Sequence, residues 1–291
     1  MADKRQHRET PSWHISRQRG SAHNVSQPWT THSVLVVATL DGEFRHHCAP
    51  EALANFTLVL MQRVRPSAPY FAPNFGFEAG AFMQFIVTFY ENFPNQTFFL
   101  QDQFEPHNGN WLQWARCVRP EAAYAPLTHV RLKTKRVNLR KDDPAGAHTA
   151  VIEQCYRNFL HAFGLSALVP SGGVFRHKLF QGSSFVASRQ QIRRHPHKAY
   201  MQAHQMLAGG DGRCHHGELR WAELHTKRSS HSLLLDSPAE RGKHTSGGAF
   251  EHLQAVIFGG MGLMGPGSFD WCSGFLHKTR CRGSPCPERR G

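Results

Sequence analysis

Apolar and polar positions alternate most regularly between residues 33 and 102 of this chain. "SVLVVATL" (33–40) is a Val-rich apolar run that stops at Asp41-Gly42-Glu43, and its length and β-branching predict a buried strand. "NFTLVLMQRV" (55–64) predicts a second strand, after which "RPSAPYFAPN" breaks regular structure with three prolines. In "PNFGFEAGAFMQFIVTFYENFPNQTFFLQD" (73–102), Phe82, Phe85, Ile86 and Phe89 fall at i, i+3, i+4 and i+7 and share one helix face. That stripe reads as core, not as a platform for a ligand. Asn74 or a neighbour is the expected cap, Glu78 suits the positive helix start, and Pro94 is the expected stop. "TFFLQ" (97–101) then predicts a strand that runs into Asp102. Strand, strand, helix, strand in close succession predicts an α/β fold: one mixed-sheet domain with flanking helices over residues 33–260.

Beyond Asp102 the pattern loosens. "RLKTKRVNLRK" (131–141) is densely basic and reads as a solvated loop. "HTAVIEQCYRNFLHAFG" (148–164) has helix spacing and a glycine stop at Gly164. "LFQGSSFVAS" (179–188) predicts a strand or hairpin, and "RQQIRRHPHKAYMQAHQMLAGG" (189–210) predicts two helices separated at Pro196. "AFEHLQAVIFGG" (249–260) predicts a short helix ended by glycines. Residues 1–30 are expected to be a disordered basic arm, 209–248 a disordered insertion and 261–291 an irregular basic tail.

Composition narrows the class. An apolar fraction of 40 % with 21 Phe is enough for a core, and the 19 % charged fraction argues against wholesale disorder. A formal charge of +13 favours anionic partners such as phosphates or nucleic acid. No helix-turn-helix, zinc-finger or RNA-recognition signature accompanies it, so nucleic acid is a weaker expectation. No membrane span is visible, and the start of the chain lacks the apolar centre of a signal peptide. Seven irregularly spaced cysteines suggest no disulfide framework. The default compartment is therefore the reducing cytoplasm, and the sequons at Asn24, Asn55 and Asn95 carry little weight on that reading. The oligomeric state is not legible.

Three segments together resemble a known pattern. "NFGFEAGAFMQFIVTFYENFPNQTFFLQD" is similar to an Asn-x-Gly-Arg-Glu helix start followed by Tyr-x-x-Leu-Pro and a Phe-Leu-Gln strand. "FQGSSFVASRQQIRRHPHKAY" is similar to a Gly-Ala-Gln-Phe-x-Val-Ser strand followed by an Ile-x-x-x-Pro helix. "FEHLQAVIFGG" resembles a closing Glu-x-x-Trp-x-x-Ile-Phe-Gly. These marks resemble the uncharacterised family termed domain of unknown function 3431, over roughly residues 33 to 260. The layout of that family is similar to nucleotide-diphospho-sugar glycosyltransferases of the first structural type, which implies a nucleotide-sugar donor and a glycan acceptor. The chain departs from the pattern at Phe77, where the family shows Arg, and at Gln254, where it shows Trp. If the family's Arg holds a phosphate or carboxylate, this copy lacks that contact.

Candidate chemistry follows from where the acids fall. Ligands of open α/β sheets sit beyond the carboxyl ends of strands, and two predicted strands end on acids. Asp41 and Glu43, with Gly76 for close backbone approach, are the candidates for binding the nucleotide sugar. Asp102 and His107 are the candidates for a divalent ion, Mg²⁺ or Mn²⁺, which would neutralise the leaving diphosphate. Glu78 and Asp102 are the candidate catalytic residues, with Glu78 as general base or acceptor from sugar hydroxyls. The bland alternatives are that Asp41, Glu43 and Asp102 merely begin loops and that Glu78 serves its own helix end. "RCHHGE" (213–218) paired with "CRGSPC" (281–286) is a remote zinc candidate whose spacing fits no standard finger. A degenerate relative that binds a sugar or a protein without catalysis is the competing expectation, with a non-specific nucleic-acid binder behind it.

Overall fold

The computed structural model describes residues 13–16, 26, 29–46, 53–67, 69–73, 76–102, 111–112, 115, 118–127, 133–138, 147–169, 171, 173–179, 183–208 and 245–259. Its strands are β1 (Trp13–Ser16), β2 (Ser33–Ala38), β3 (Glu43–His46), β4 (Phe56–Met61), β5 (Gln96–Gln101), β6 (Tyr124–Pro126), β7 (Lys133–Asn138), β8 (Val174–Leu179) and β9 (Phe185–Ser188). Its helices are α1 (Phe77–Phe89), α2 (Ala147–Ala162), α3 (Arg189–Ile192), α4 (His197–Ala208) and α5 (Thr245–Ile257).

The central sheet has the order β4-β2-β5-β9-β6. β2 is parallel to both β4 and β5, whereas β9 runs antiparallel to β5 and β6 antiparallel to β9. This is an open, mixed α/β sheet. Both of its faces are buried, which is why β2 reads as an unbroken apolar run. Val34, Val36 and Ala38 point into one core with Phe82, Phe85, Phe99 and Phe185, and with residues of α2, α4 and α5. Leu35 and Val37 point into the other core with Leu60, Phe98, Leu100 and Trp111. The first core is aromatic: the Phe99 and Phe185 rings stack at 4.7 Å, and those of Phe82 and Phe99 sit at 5.1 Å. The predicted stripe on α1 is therefore core, as its spacing requires.

Several element boundaries moved. The second predicted strand ends at Met61, short of residue 64, because the side chain of buried Gln62 turns the chain. Its Oε1 accepts from the N–H groups of Val64 (3.0 Å) and Arg65 (2.8 Å), which removes both from any ladder. α1 is preceded by Gly76 at its N-cap, with no side-chain cap, and Asn74 lies outside the described residues. α2 ends as expected: Gly164 adopts φ +68, and the N–H groups of Gly164 and Leu165 close back onto His161 O and Leu160 O. The expected basic loop contains β7, paired antiparallel with β8. Its partner lies far away in the chain, and no local apolar alternation announced it. "LFQGSSFVAS" is no hairpin, since Leu179 belongs to β8 and residues 185–188 to the central sheet. Within the segment expected to be an arm, β1 pairs with β3. Residues 245–248, expected within the insertion, are already helical in α5. No helix among the described residues is long and apolar enough to cross a membrane.

Candidate functional site

The chain leaves β2 for β4 on one side, then returns through α1 to β5 on the other. That reversal lies between β2 and β5, and the crevice at their carboxyl ends is where open α/β sheets receive ligands. The Asp102 N–H donates to Ala38 O (2.9 Å), so Asp102 stands directly beside the end of β2. The Arg63 N–H donates to Leu40 O (3.0 Å), which brings the loop after β4 to the same edge. Helix α1 starts there as well, with Glu78 in its first turn.

Arg63 organises this edge. Its Nε donates to Thr39 O (3.1 Å), which fixes the guanidinium over the end of β2. Burial holds its pKa below the ordinary arginine value, while the carboxylates of Glu78 and Asp102 pull it up. Both candidate catalytic acids therefore act electrostatically on the same cation. Arg65 Nη2 donates to Asp41 O (2.6 Å), and Gln62 Nε2 donates to Arg65 O, so the loop is tied to both strands. Leu40 and Val64 are exposed on the same loops and give the edge an apolar rim.

Asp41 sits on this edge, but its carboxylate is occupied locally: Oδ1 accepts from the Glu43 N–H (3.0 Å) in an Asx turn. Gly42 follows at φ +88, a conformation that a side chain would strain. Glu43 opens β3 and is half-buried. Gly76 is a packing residue in this geometry, since a Cβ there would lie 2.5 Å from Leu207 Cδ2 and its φ is +63. Phe77 is also left-handed, at φ 53, so two consecutive unusual residues set the direction in which Glu78 leaves the loop. Gln254 is buried in α5, where its Nε2 donates to Ser183 O (3.4 Å) and joins the closing helix to the approach to β9. Ser184 Oγ in turn accepts from the Gln101 N–H (3.4 Å).

Among the described residues, no three His, Cys, Asp or Glu side chains gather to hold a metal ion. His107 and both halves of the zinc candidate lie outside those residues. Asp102, the described half of the predicted metal pair, has the Arg63 charge beside it, and a neighbouring cation opposes a divalent ion.

Arg63 was missed because the sequence pattern placed it inside a strand. Its signal was there: a pair of arginines immediately after an apolar run, in a layout where strand ends collect ligands. Cys155, buried in α2, is disulfide-bonded, which irregular cysteine spacing did not foretell. No family model, curated protein or solved structure matches this chain.

Proposed function

We propose that the carboxyl edge of the parallel strands binds a nucleotide sugar, as part of a glycosyltransferase-like domain. One observation carries the reading: the carboxylates of Glu78 and Asp102, from different elements, both act on the charge of Arg63, whose loop is held at the end of β2. The family resemblance and the mixed sheet support it by analogy. In this reading the carboxylates accept hydrogen bonds from sugar hydroxyls. Glu78 removes the acceptor's proton as the acceptor oxygen bonds to the anomeric carbon, and the bonding pair of the broken C–O bond leaves with the diphosphate. Arg63 keeps the two acids from repelling each other and from drifting out of register.

Charge favours a second reading. Among the described residues, the acids Asp41, Glu43, Glu78 and Asp102 outnumber Arg63 and Arg65 near this edge, so a diphosphate would meet a net negative charge there. With Phe77 in the place of the family's Arg, a degenerate site that takes a neutral sugar fits these residues too. Thermal shift separates the readings. A nucleotide sugar at about a hundredfold excess over Kd adds about 2.7 kcal/mol of stability, and Arg63→Met abolishes the shift. Stabilisation by free sugars alone supports the degenerate reading. A nucleotide-sugar response that appears only in Phe77→Arg marks a decayed donor site. No response to any of these ligands, with or without Mn²⁺, removes both.

A further inference from the structure

We propose that Asn55 and Asn95 are N-glycosylated, which places maturation of this chain in an oxidising, glycosylating compartment. Each asparagine begins an Asn-x-Thr triplet with no proline in the middle: Asn55-Phe56-Thr57 and Asn95-Gln96-Thr97. Both are exposed, and each immediately precedes a strand of the central sheet. Ser33 is in register with Phe56 on one side and Gln96 on the other, so the asparagines flank His32 at the amino edge. Two strand spacings put them about 10 Å apart. The candidate site lies at the opposite end of the same strands, about 20 Å away at ordinary strand rise. Glycans on this edge would cover the rim of the sheet and leave the carboxyl edge open.

The surroundings allow the modification. Asn55 has no hydrogen-bond partner among the described residues. The Asn95 amide meets only the exposed His32 ring, Nδ2 to Nδ1 at 3.3 Å. The threonines of the two triplets are committed once the sheet forms. Thr57 N–H donates to Thr31 Oγ1 (3.1 Å), the two hydroxyls lie 2.7 Å apart, and Thr97 is fully buried. The triplets are therefore read on the emerging chain, before β4 and β5 join β2 in the sheet. The disulfide at Cys155 is an independent sign of the same compartment, since disulfides persist where thiols are not kept reduced. None of this depends on what the carboxyl edge binds.

The step needs a lipid-diphosphate-linked oligosaccharide and its transferase. The asparagine Nδ2 bonds to the anomeric carbon, and the bond from that carbon to the diphosphate oxygen breaks with its electron pair leaving on the lipid diphosphate. One amide proton passes to a base of the transferase. The test uses the full chain expressed in eukaryotic cells with its own N-terminus, run on gels before and after peptide N-glycosidase. Asn55→Gln and Asn95→Gln should each remove one mobility step, and the double variant both. Deglycosylation of the unaltered chain in heavy-oxygen water reads the same positions as labelled Asp by peptide mass, without relying on a variant that folds. A mobility indifferent to the glycosidase, or a shift that survives unchanged in the double variant and so belongs to Asn24 alone, overturns the assignment.

Discussion

The two ends of the central sheet use arginine differently. At the amino edge, Arg189 Nε donates to Phe93 O and Arg193 Nη2 to Glu91 O, carbonyls of the turn after α1. Burial lowers the pKa of Arg189, and the charge of Arg193 lowers it further. Those cations repel each other and are held by backbone oxygens that close the end of a helix. At the carboxyl edge Arg63 also grips a backbone oxygen, yet the charges of two carboxylates act on it. An arginine that serves only structure needs carbonyls. Arg63 adds the influence of two acids to its carbonyl, and the proposed function rests on that difference.

The sharpest way to break this contrast is through backbone packing. At Gly247 in α5 a Cβ would lie 2.7 Å from Gly76 O, a backbone atom that cannot step aside. Gly247→Ala should cost about 3 kcal/mol in urea unfolding. Gly164→Ala, where nothing lies within 4 Å and only the left-handed φ resists, should cost about 1 kcal/mol. Equal losses would mean that the carboxyl edge is no tighter than the end of α2.

Arg63 and Arg193 supply the direct comparison. Arg63→Met removes the cation on which Glu78 and Asp102 both act and should lose about 2 kcal/mol. Arg193→Met, at the exposed amino edge, should stay within about 0.5 kcal/mol. Matching denaturant midpoints would dissolve the distinction between the two ends.

Two pH limbs test the core that both edges share. Burial raises the pKa of Tyr124, Tyr156 and Tyr200 above the ordinary tyrosine value near 10. Above that value the unfolded chain gives up these protons first, so stability is full below about pH 10 and falls as pH rises. Tyr200→Phe, which also removes the hydroxyl's bond to Ile192 O (2.8 Å), should make the alkaline fall shallower. The smallest effect belongs to His204, whose pKa is lowered by burial. It contributes stability above about pH 6.5 that is lost as pH falls and the unfolded imidazole binds its proton first. His204→Gln should flatten the acid limb by a fraction of a kcal/mol in melts at pH 5 and pH 7.

Much of the first half was legible because its signals are local. A Val-rich run, a helix-period Phe stripe and a proline-broken loop each act over a few residues, and β2, β4, α1 and β5 followed. The later strands were harder. β6 is only three residues long, and β7 is a basic sequence whose pairing depends on β8 beyond α2. Among the site residues, Glu78 and Asp102 were visible as acids at element ends. Arg63 was not, because an apolar run does not say where its strand stops, and the stop is made by the buried amide of Gln62.

The amino-acid order by itself determined that β2, β4 and β5 become strands and α1 a helix, and which face of α1 turns inward, since periodicity and side-chain volume act through near neighbours. Only the tertiary structure decided which strand ends stand side by side. Sheet order is set by connections that span tens of residues. It is that order, β2 between β4 and β5, that brings Arg63 from one loop and Asp102 from another to the end of the same strand.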